Sequence, residues 1–363
     1  MTASPRVLML GPVNHPHVEH LALAMQERGL EVIVAGNVER ALPASVLEGA
    51  GIRVLAAPRA PRRTPAGAAA HVRWIRSLSR ELRPDVVHAH WMCGYAALAA
   101  VAGAEPLVAM AWGSDVLRAG RLRTFASRIA LRRSRIAMAD SQALLDRLVE
   151  LGARRDATVL VNWGVDLDAF APVNGARPAL RERLGLAPGP VILSPRSLTP
   201  VYNPGTILAA FALVAEAVPE AQLVLKHMGS GPPPLASLAP TGRIHLVGHV
   251  PYERMAWYYQ AADVCVSIPS SDSSPRSVWE AMACGCPVVI SDLQWVHELI
   301  TPERDAIAVP IDAAAVAGAI RRVLGDRDLA TRLSHHGRLL AETHRDRRAE
   351  MDRLADVYRR LVP

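Results

Sequence analysis

Seven residues separate two carboxylates, Asp272 and Glu280, in the stretch P-S-S-D-S-S-P-R-S-V-W-E-A-M-A-C-G-C-P from Pro269 to Pro287. Between them Ser274 reads as a helix N-cap and Pro275 as the first helical position. Gly285 reads as the stop, and Cys286 to Ser291 as a buried strand. A helix starting there aims free N–H groups, those of Arg276, Ser277 and Val278, at solvent, where an anion can bind. Carboxylates beside such a site suit a ligand rich in hydroxyls, since each accepts several O–H bonds. Phosphate and hydroxyls together point to a nucleotide sugar. The same residues also suit a capped amphipathic helix of any α/β protein.

The stretch resembles the retaining glycosyltransferases of family 4 and their glycogen synthase relatives, whose signature is Glu, seven residues, Glu, then A-M-A-x-G-x-P-V-V. Here Asp272 replaces the first Glu, while E-A-M-A-C-G-C-P-V-V-I matches closely. The resemblance implies that Glu280 holds ribose hydroxyls, that Asp272 holds donor-sugar hydroxyls, and that the amides near Ser274 to Val278 hold phosphate or sugar oxygens. L-S-P-R-S-L-T-P-V-Y-N-P resembles the family's G-R-L-x-x-x-K-G, so Arg196 takes the part of the diphosphate arginine. The companion lysine is missing, with Asn203 near its place. Lys226, the only lysine in the chain, precedes a G-x-G-P turn at Gly229 to Pro232 and either supplies the missing charge or is a surface lysine.

Nearer the start, G-P-V-N-H-P-H-V-E-H resembles the family's glycine-rich loop, reduced to Gly11, with His17 near the loop histidine. R-P-D-V-V-H-A-H-W resembles a strand that ends at His90, and A-M-A-W-G-S-D-V resembles T-x-H-G-S-D-V. Trp112 stands where family members have a donor-contacting histidine. Asp115 either orients a sugar or acceptor hydroxyl or caps the next helix. The implied catalytic set is Asp272, Arg196 and Asp115. The implied binding set is Glu280, Arg276, Ser277, Val278, Ser274, Lys226, Gly11, His17 and His90. The chemistry implied needs neither metal nor cofactor, and no D-x-D cluster or protein nucleophile is evident.

These residues need a frame. The 363 residues suggest two domains. Short apolar strands alternate with helices, first at Val7–Leu10, Glu31–Ala35, Asp85–Ala89 and Pro106–Ala111. A second series runs through Val191–Ser194, Leu223–Leu225, Ile244–Val247, Val264–Ile268 and Pro287–Ile290. Such alternation implies doubly wound parallel sheets, which bind ligands beyond the carboxyl ends of their strands. Asp166 to Pro190 reads as the linker. The family architecture is GT-B, an α/β fold of two Rossmann-like domains facing across a cleft. It implies an acceptor-side domain at 1–165, a nucleotide-sugar domain at 166–345, and a helix at 346–363 returning to the first. Met351, Leu354, Val357 and Leu361 give that last segment a helical apolar stripe.

The formal charge of +7 raises the question of nucleic acid, but forty of the forty-one basic residues are arginine, a compositional bias, and no run of aromatics interleaves with them as in single-strand binders. No specific nucleic-acid partner is expected. Cys93, Cys265, Cys284 and Cys286 fit no zinc spacing and read as reduced core thiols of a cytoplasmic protein. The first apolar run is one strand long, too short for a signal peptide. Leu117 to Arg135, with seven arginines among apolar residues, reads as a solvated helix or as one lying on anionic lipid at the inner face of a membrane. The expected partners are a nucleoside diphosphate sugar and an acceptor that is a glycan, a lipid or a small metabolite. A non-catalytic GT-B subunit, a phosphorylase with pyridoxal phosphate on Lys226, and a sugar-nucleotide epimerase remain open alternatives.

Overall fold

The computed structural model describes residues 4–39, 44–59, 64–173, 175–227 and 243–362. The G-x-G-P turn at Gly229 to Pro232 lies outside them. The chain divides into two compact units, one of residues 1–163 with 348–363, the other of residues 164–347.

The first unit contains β1 (Arg6–Leu10), α1 (Pro16–Glu27), β2 (Glu31–Gly36), β3 (Arg53–Ala56), α2 (Pro65–Leu82) and β4 (Val86–His90). It continues with α3 (Ala97–Ala102), β5 (Leu107–Met110), α4 (Ser114–Leu117), α5 (Arg121–Arg133), β6 (Ile136–Ala139), α6 (Gln142–Glu150) and β7 (Thr158–Leu160). Its strands are parallel in the order β3-β2-β1-β4-β5-β6-β7. The second unit holds α7 (Arg177–Arg183), β8 (Val191–Ser194), α8 (Pro204–Ala217), β9 (Gln222–Lys226), β10 (Ile244–Val247) and α9 (Tyr252–Ala261). After these come β11 (Val264–Ser267), α10 (Arg276–Ala283), β12 (Val288–Ser291), β13 (Ile307–Val309), α11 (Ala313–Gly325) and α12 (Arg327–His344). Its parallel order is β10-β9-β8-β11-β12-β13. Both units therefore repeat the 3-2-1-4-5-6 strand order of dinucleotide-binding folds. In each, the order reverses at a switch point: between β1 and β4, and between β8 and β11.

The central strands are buried on both faces, which is why β4, β8 and β11 lack an alternating pattern. Helix α2 shows the opposite design: His71, Ile75, Leu78 and Leu82 recur at helical spacing and face the core, and Thr64 caps its first turn. The edge strands β3, β7 and β13 are short, with three or four residues each. The last helix described, α13 (Arg347–Leu361), buries Met351, Leu354, Ala355 and Tyr358 in the same apolar cluster as Val7, Met9 and Val34 of the first unit.

One local expectation is corrected. Pro275, not Ser274, occupies the N-cap of α10, which begins at Arg276. The Ser274 hydroxyl is engaged elsewhere, accepting the Trp279 indole N–H at 2.9 Å. Gly285 does end that helix, with φ +68 in the left-handed region.

Candidate functional sites at two switch points

In the second unit the chain leaves β8 toward Arg196, β9 ends on Lys226, and β11 leads into Asp272. Because β9, β8 and β11 are neighbours, all three residues sit at the same end of the sheet. Arg196 Nη2 donates to Asp272 Oδ2 at 2.8 Å, and Nη1 donates to Ser277 Oγ at 3.1 Å. The guanidinium lies 4.2 Å over the Tyr202 ring. Burial alone would weaken its charge; Asp272 and Tyr202 outweigh that and hold its pKa above the ordinary arginine value.

A second pair repeats this arrangement one helical turn into α10. Arg276 Nε donates to Glu280 Oε1 at 3.0 Å while its guanidinium covers the Tyr252 ring at 4.5 Å. The other oxygen of Glu280 accepts from the Tyr259 hydroxyl at 2.9 Å. Lys226 lies in the field of both pairs: burial lowers its pKa, Glu280 raises it, and Arg276 and Arg196 lower it further. Asn203 is committed to the backbone, with φ +48 and its Nδ2 donating to Ile268 O at 2.9 Å. The Val278 amide is used by Pro275 O at 3.0 Å. Two oxyanions and three cations therefore share one crevice edge. The tyrosines under the arginines, and the one on Glu280, were not singled out in the sequence. Their signal was the cluster Y-E-R-M-A-W-Y-Y-Q in α9, together with Tyr202 beside Asn203.

The first unit furnishes its switch point differently. Gly11 follows β1, and a Cβ there would come within 2.9 Å of Val18 Cγ2 and 3.1 Å of His90 Cδ2, so no larger residue fits. His15 Nδ1 accepts the His17 N–H at 3.2 Å and starts α1. The His17 ring stacks on Trp163 at 4.4 Å, and His15 lies 4.5 Å from Trp112. His90 is fully buried, and its Nδ1 accepts the Trp112 indole N–H at 3.2 Å. Since an indole only donates, the neutral ring carries its proton on Nε2. That nitrogen has no hydrogen-bond partner among the described residues. Burial, then the neighbouring His88 and His15, push the His90 pKa well below its usual value, and burial pushes His88 to about 3. Trp91 adopts φ +67, a strained conformation for a bulky residue, and its ring lies parallel to Trp112 at 6.2 Å.

The sequence reading of Asp115 as a group that orients a sugar is corrected. It is fully buried, and both oxygens accept backbone N–H groups, from Met92 at 2.6 Å and Trp112 at 2.9 Å. It braces the loop after β4 against the loop after β5. Burial, opposed by those bonds, raises its pKa to about 6.

Among the described residues no cluster of three or more His, Cys, Asp or Glu side chains is arranged to hold a metal ion. Among them, too, no helix is long and apolar enough to cross a membrane.

Two parallel sheets of this order, in one chain, with charged residues at the second switch point, define a protein of the GT-B class. Residues 6–141 match the family described as glycosyl transferase 4-like, and residues 189–326 match glycosyl transferases group 1. The D-inositol 3-phosphate glycosyltransferase of Xylanimonas cellulosilytica is 32% identical over 88% of this chain and 89% of its own length. The chain belongs to the family-4 glycosyltransferases. Among solved structures, sucrose-phosphate synthase from Thermosynechococcus elongatus superposes with a TM-score of 0.83 at 20% identity, covering 98% of this chain and 99% of its own. HepE of Anabaena, in complex with UDP-glucose, gives a TM-score of 0.81 at 19% identity over 97% of this chain and 98% of its own. The protein is thus a glycosyltransferase of the GT-B type.

Proposed function

We propose that it transfers a glycosyl group from a nucleoside diphosphate sugar to an acceptor hydroxyl, with retention at the anomeric carbon and without a metal ion. The observation that carries this is the convergence of Arg196, Lys226 and Arg276 with Asp272 and Glu280 at one switch point. A guanidinium has five N–H donors, and Arg196 spends few of them on Asp272 and Ser277. The rest can take the diphosphate and stabilise it as the glycosidic bond breaks. Lys226 supplies a second cation in place of the family lysine, since Asn203 is tied to Ile268 O. Glu280 and Asp272, each paired with an arginine, accept ribose and sugar hydroxyls. The departing phosphate serves as the base for the attacking hydroxyl on the same face, so no protein nucleophile is required.

In the first unit the parallel Trp91 and Trp112 rings offer apolar faces to a sugar or acceptor, with the buried His90 ring behind Trp112. The acceptor is a glycan, a lipid or a small metabolite; a lipid acceptor would require contact with a membrane surface. The cytoplasmic reading rests on the free buried thiols Cys265, Cys284 and Cys286. HepE was solved with UDP-glucose, which makes uridine diphosphate sugars the first donors to test. Nucleoside diphosphates should raise the melting temperature where free nucleosides do not. Proton NMR of the product should show the donor's anomeric configuration. An inverted product, or no donor consumed with any acceptor class, would overturn the proposal.

A further inference from the structure

The formal charge of +7 is not spread along the chain. From Val116 to Ala139 there are seven arginines and no acidic residue, so this stretch accounts for all of it; the other 34 basic residues are matched by 34 acidic ones. Most of the stretch is α5. Among the described residues none of its arginines is in a salt bridge, and Arg123 donates instead to Cys93 Sγ at 3.3 Å.

The same helix exposes large apolar side chains. Leu122 is 86% exposed and Phe125 62%, with Leu117 just ahead at 40%. Ser127, Ala130 and Leu131 form its buried face. Leu122 and Phe125 are three apart and share a side of the helix. Phe125 has Arg121 one turn before it and Arg128 one turn after. Water is a poor partner for such a face. A nucleic acid would use the arginines but would gain nothing from Leu122. A surface that is anionic outside and apolar beneath uses both.

We propose that α5 is a docking surface for an anionic phospholipid bilayer, with Leu122 and Phe125 in the headgroup layer and the surrounding arginines on lipid phosphates. The bond from Arg123 to Cys93 ties this helix to the turn after β4. Docking therefore holds the His90, Trp91 and Trp112 cluster close to the bilayer.

Cosedimentation of the full chain with vesicles tests this. Vesicles of phosphatidylcholine mixed with phosphatidylglycerol should pull the protein down, and pure phosphatidylcholine should not. Leu122→Ser with Phe125→Ser should weaken partitioning at least about tenfold. Arg121→Gln with Arg128→Gln should weaken it by about thirtyfold at low salt, and by less as salt screens the charges. Both pairs lie on the surface, so melting temperatures should match wild type. Failure to sediment with anionic vesicles would overturn the proposal. So would wild-type partitioning by the Leu122/Phe125 variant, which would reduce the patch to charge alone. Displacement from the vesicles by a short RNA duplex that binds more tightly would assign the surface to nucleic acid. Donor consumption is not read here, so failure would leave the transferase reading untouched.

Discussion

Past β1, β4 and β5 the switch point of the first unit carries His17, His90, Trp91 and Trp112, aromatic rings packed against one another. Past β8, β9 and β11 the second unit carries Arg196, Lys226 and Asp272, with Arg276 and Glu280 beside them. The strand order is shared, so the difference lies in the residues at the strand ends and in the loops and helices that follow them. Aromatic and neutral groups suit a polyol or flat surface whose charge does not change. Paired ions suit a phosphate on which charge grows. On the proposed function, one scaffold, used twice, would divide recognition of an uncharged partner from stabilisation of a charged leaving group.

The sharpest way to break this comparison is Arg196. Its charge acts mostly in the transition state, so Arg196→Ala should lower kcat by about a hundredfold or more. Arg196→Lys should fall between, because it keeps the charge but loses the planar fork. If Arg196 only pairs with Asp272, the alanine variant would lose thermal stability while turnover per folded molecule stayed at wild type.

Glu280→Ala removes a carboxylate and strands buried Arg276. Nucleotide affinity should fall about tenfold or more, from lost charged hydrogen bonds. Unfolding free energy should drop by about 3–5 kcal/mol. Calorimetry and urea unfolding on one preparation read both; unchanged affinity would remove Glu280 from the nucleotide site.

The two units should also differ toward pH. The Asp115 pKa rises from 3.8 to about 6 in the fold. The native state then holds more protons in that window, and stability from this residue falls as pH rises through it, by about 3 kcal/mol in all. His88 acts in the opposite sense, since burial drops it from 6.5 to about 3, so its contribution is lost as pH falls. Asp115→Asn removes the term that offsets His88. Its stability should decline more steeply than wild type between pH 6 and 4, as urea midpoints would report; parallel curves would deny the buried carboxylate its role. The smallest expected effect is that of a chelator. Turnover should persist in excess EDTA, and loss restored by a divalent ion would show that Arg196 and Lys226 do not carry the diphosphate unaided.

Arg196, Asp272 and Glu280 were legible as a group because each sits in a motif that resembles the family's, two of them in the segments that follow β8 and β11 and the third in helix α10. Tyr259 and Tyr252 were not, because their helix reaches the site through packing that no local spacing records. Ser274 was misread for a related reason: a hydroxyl before a helix looks like a cap until a distant indole, that of Trp279, claims it. Asp115 looked like a ligand group because its neighbours match a sugar-binding motif. Only the loop geometry shows its two oxygens facing backbone amides. The strands β7 and β13, three residues each, fell below the length at which pattern separates strand from turn, and β3 and β6 were passed over at four.

The last helix bears on how the protein is made. The second unit is one unbroken segment, residues 164–347, whereas the first is completed by residues 348–363. Met351, Leu354 and Tyr358 complete the apolar cluster that holds Val7, Met9 and Val34, residues translated long before them. On the ribosome the opening unit must wait with that apolar face uncovered while the whole of the other is synthesised and can fold. The unit translated earlier is the one finished later, and helix α13 is the step that closes it.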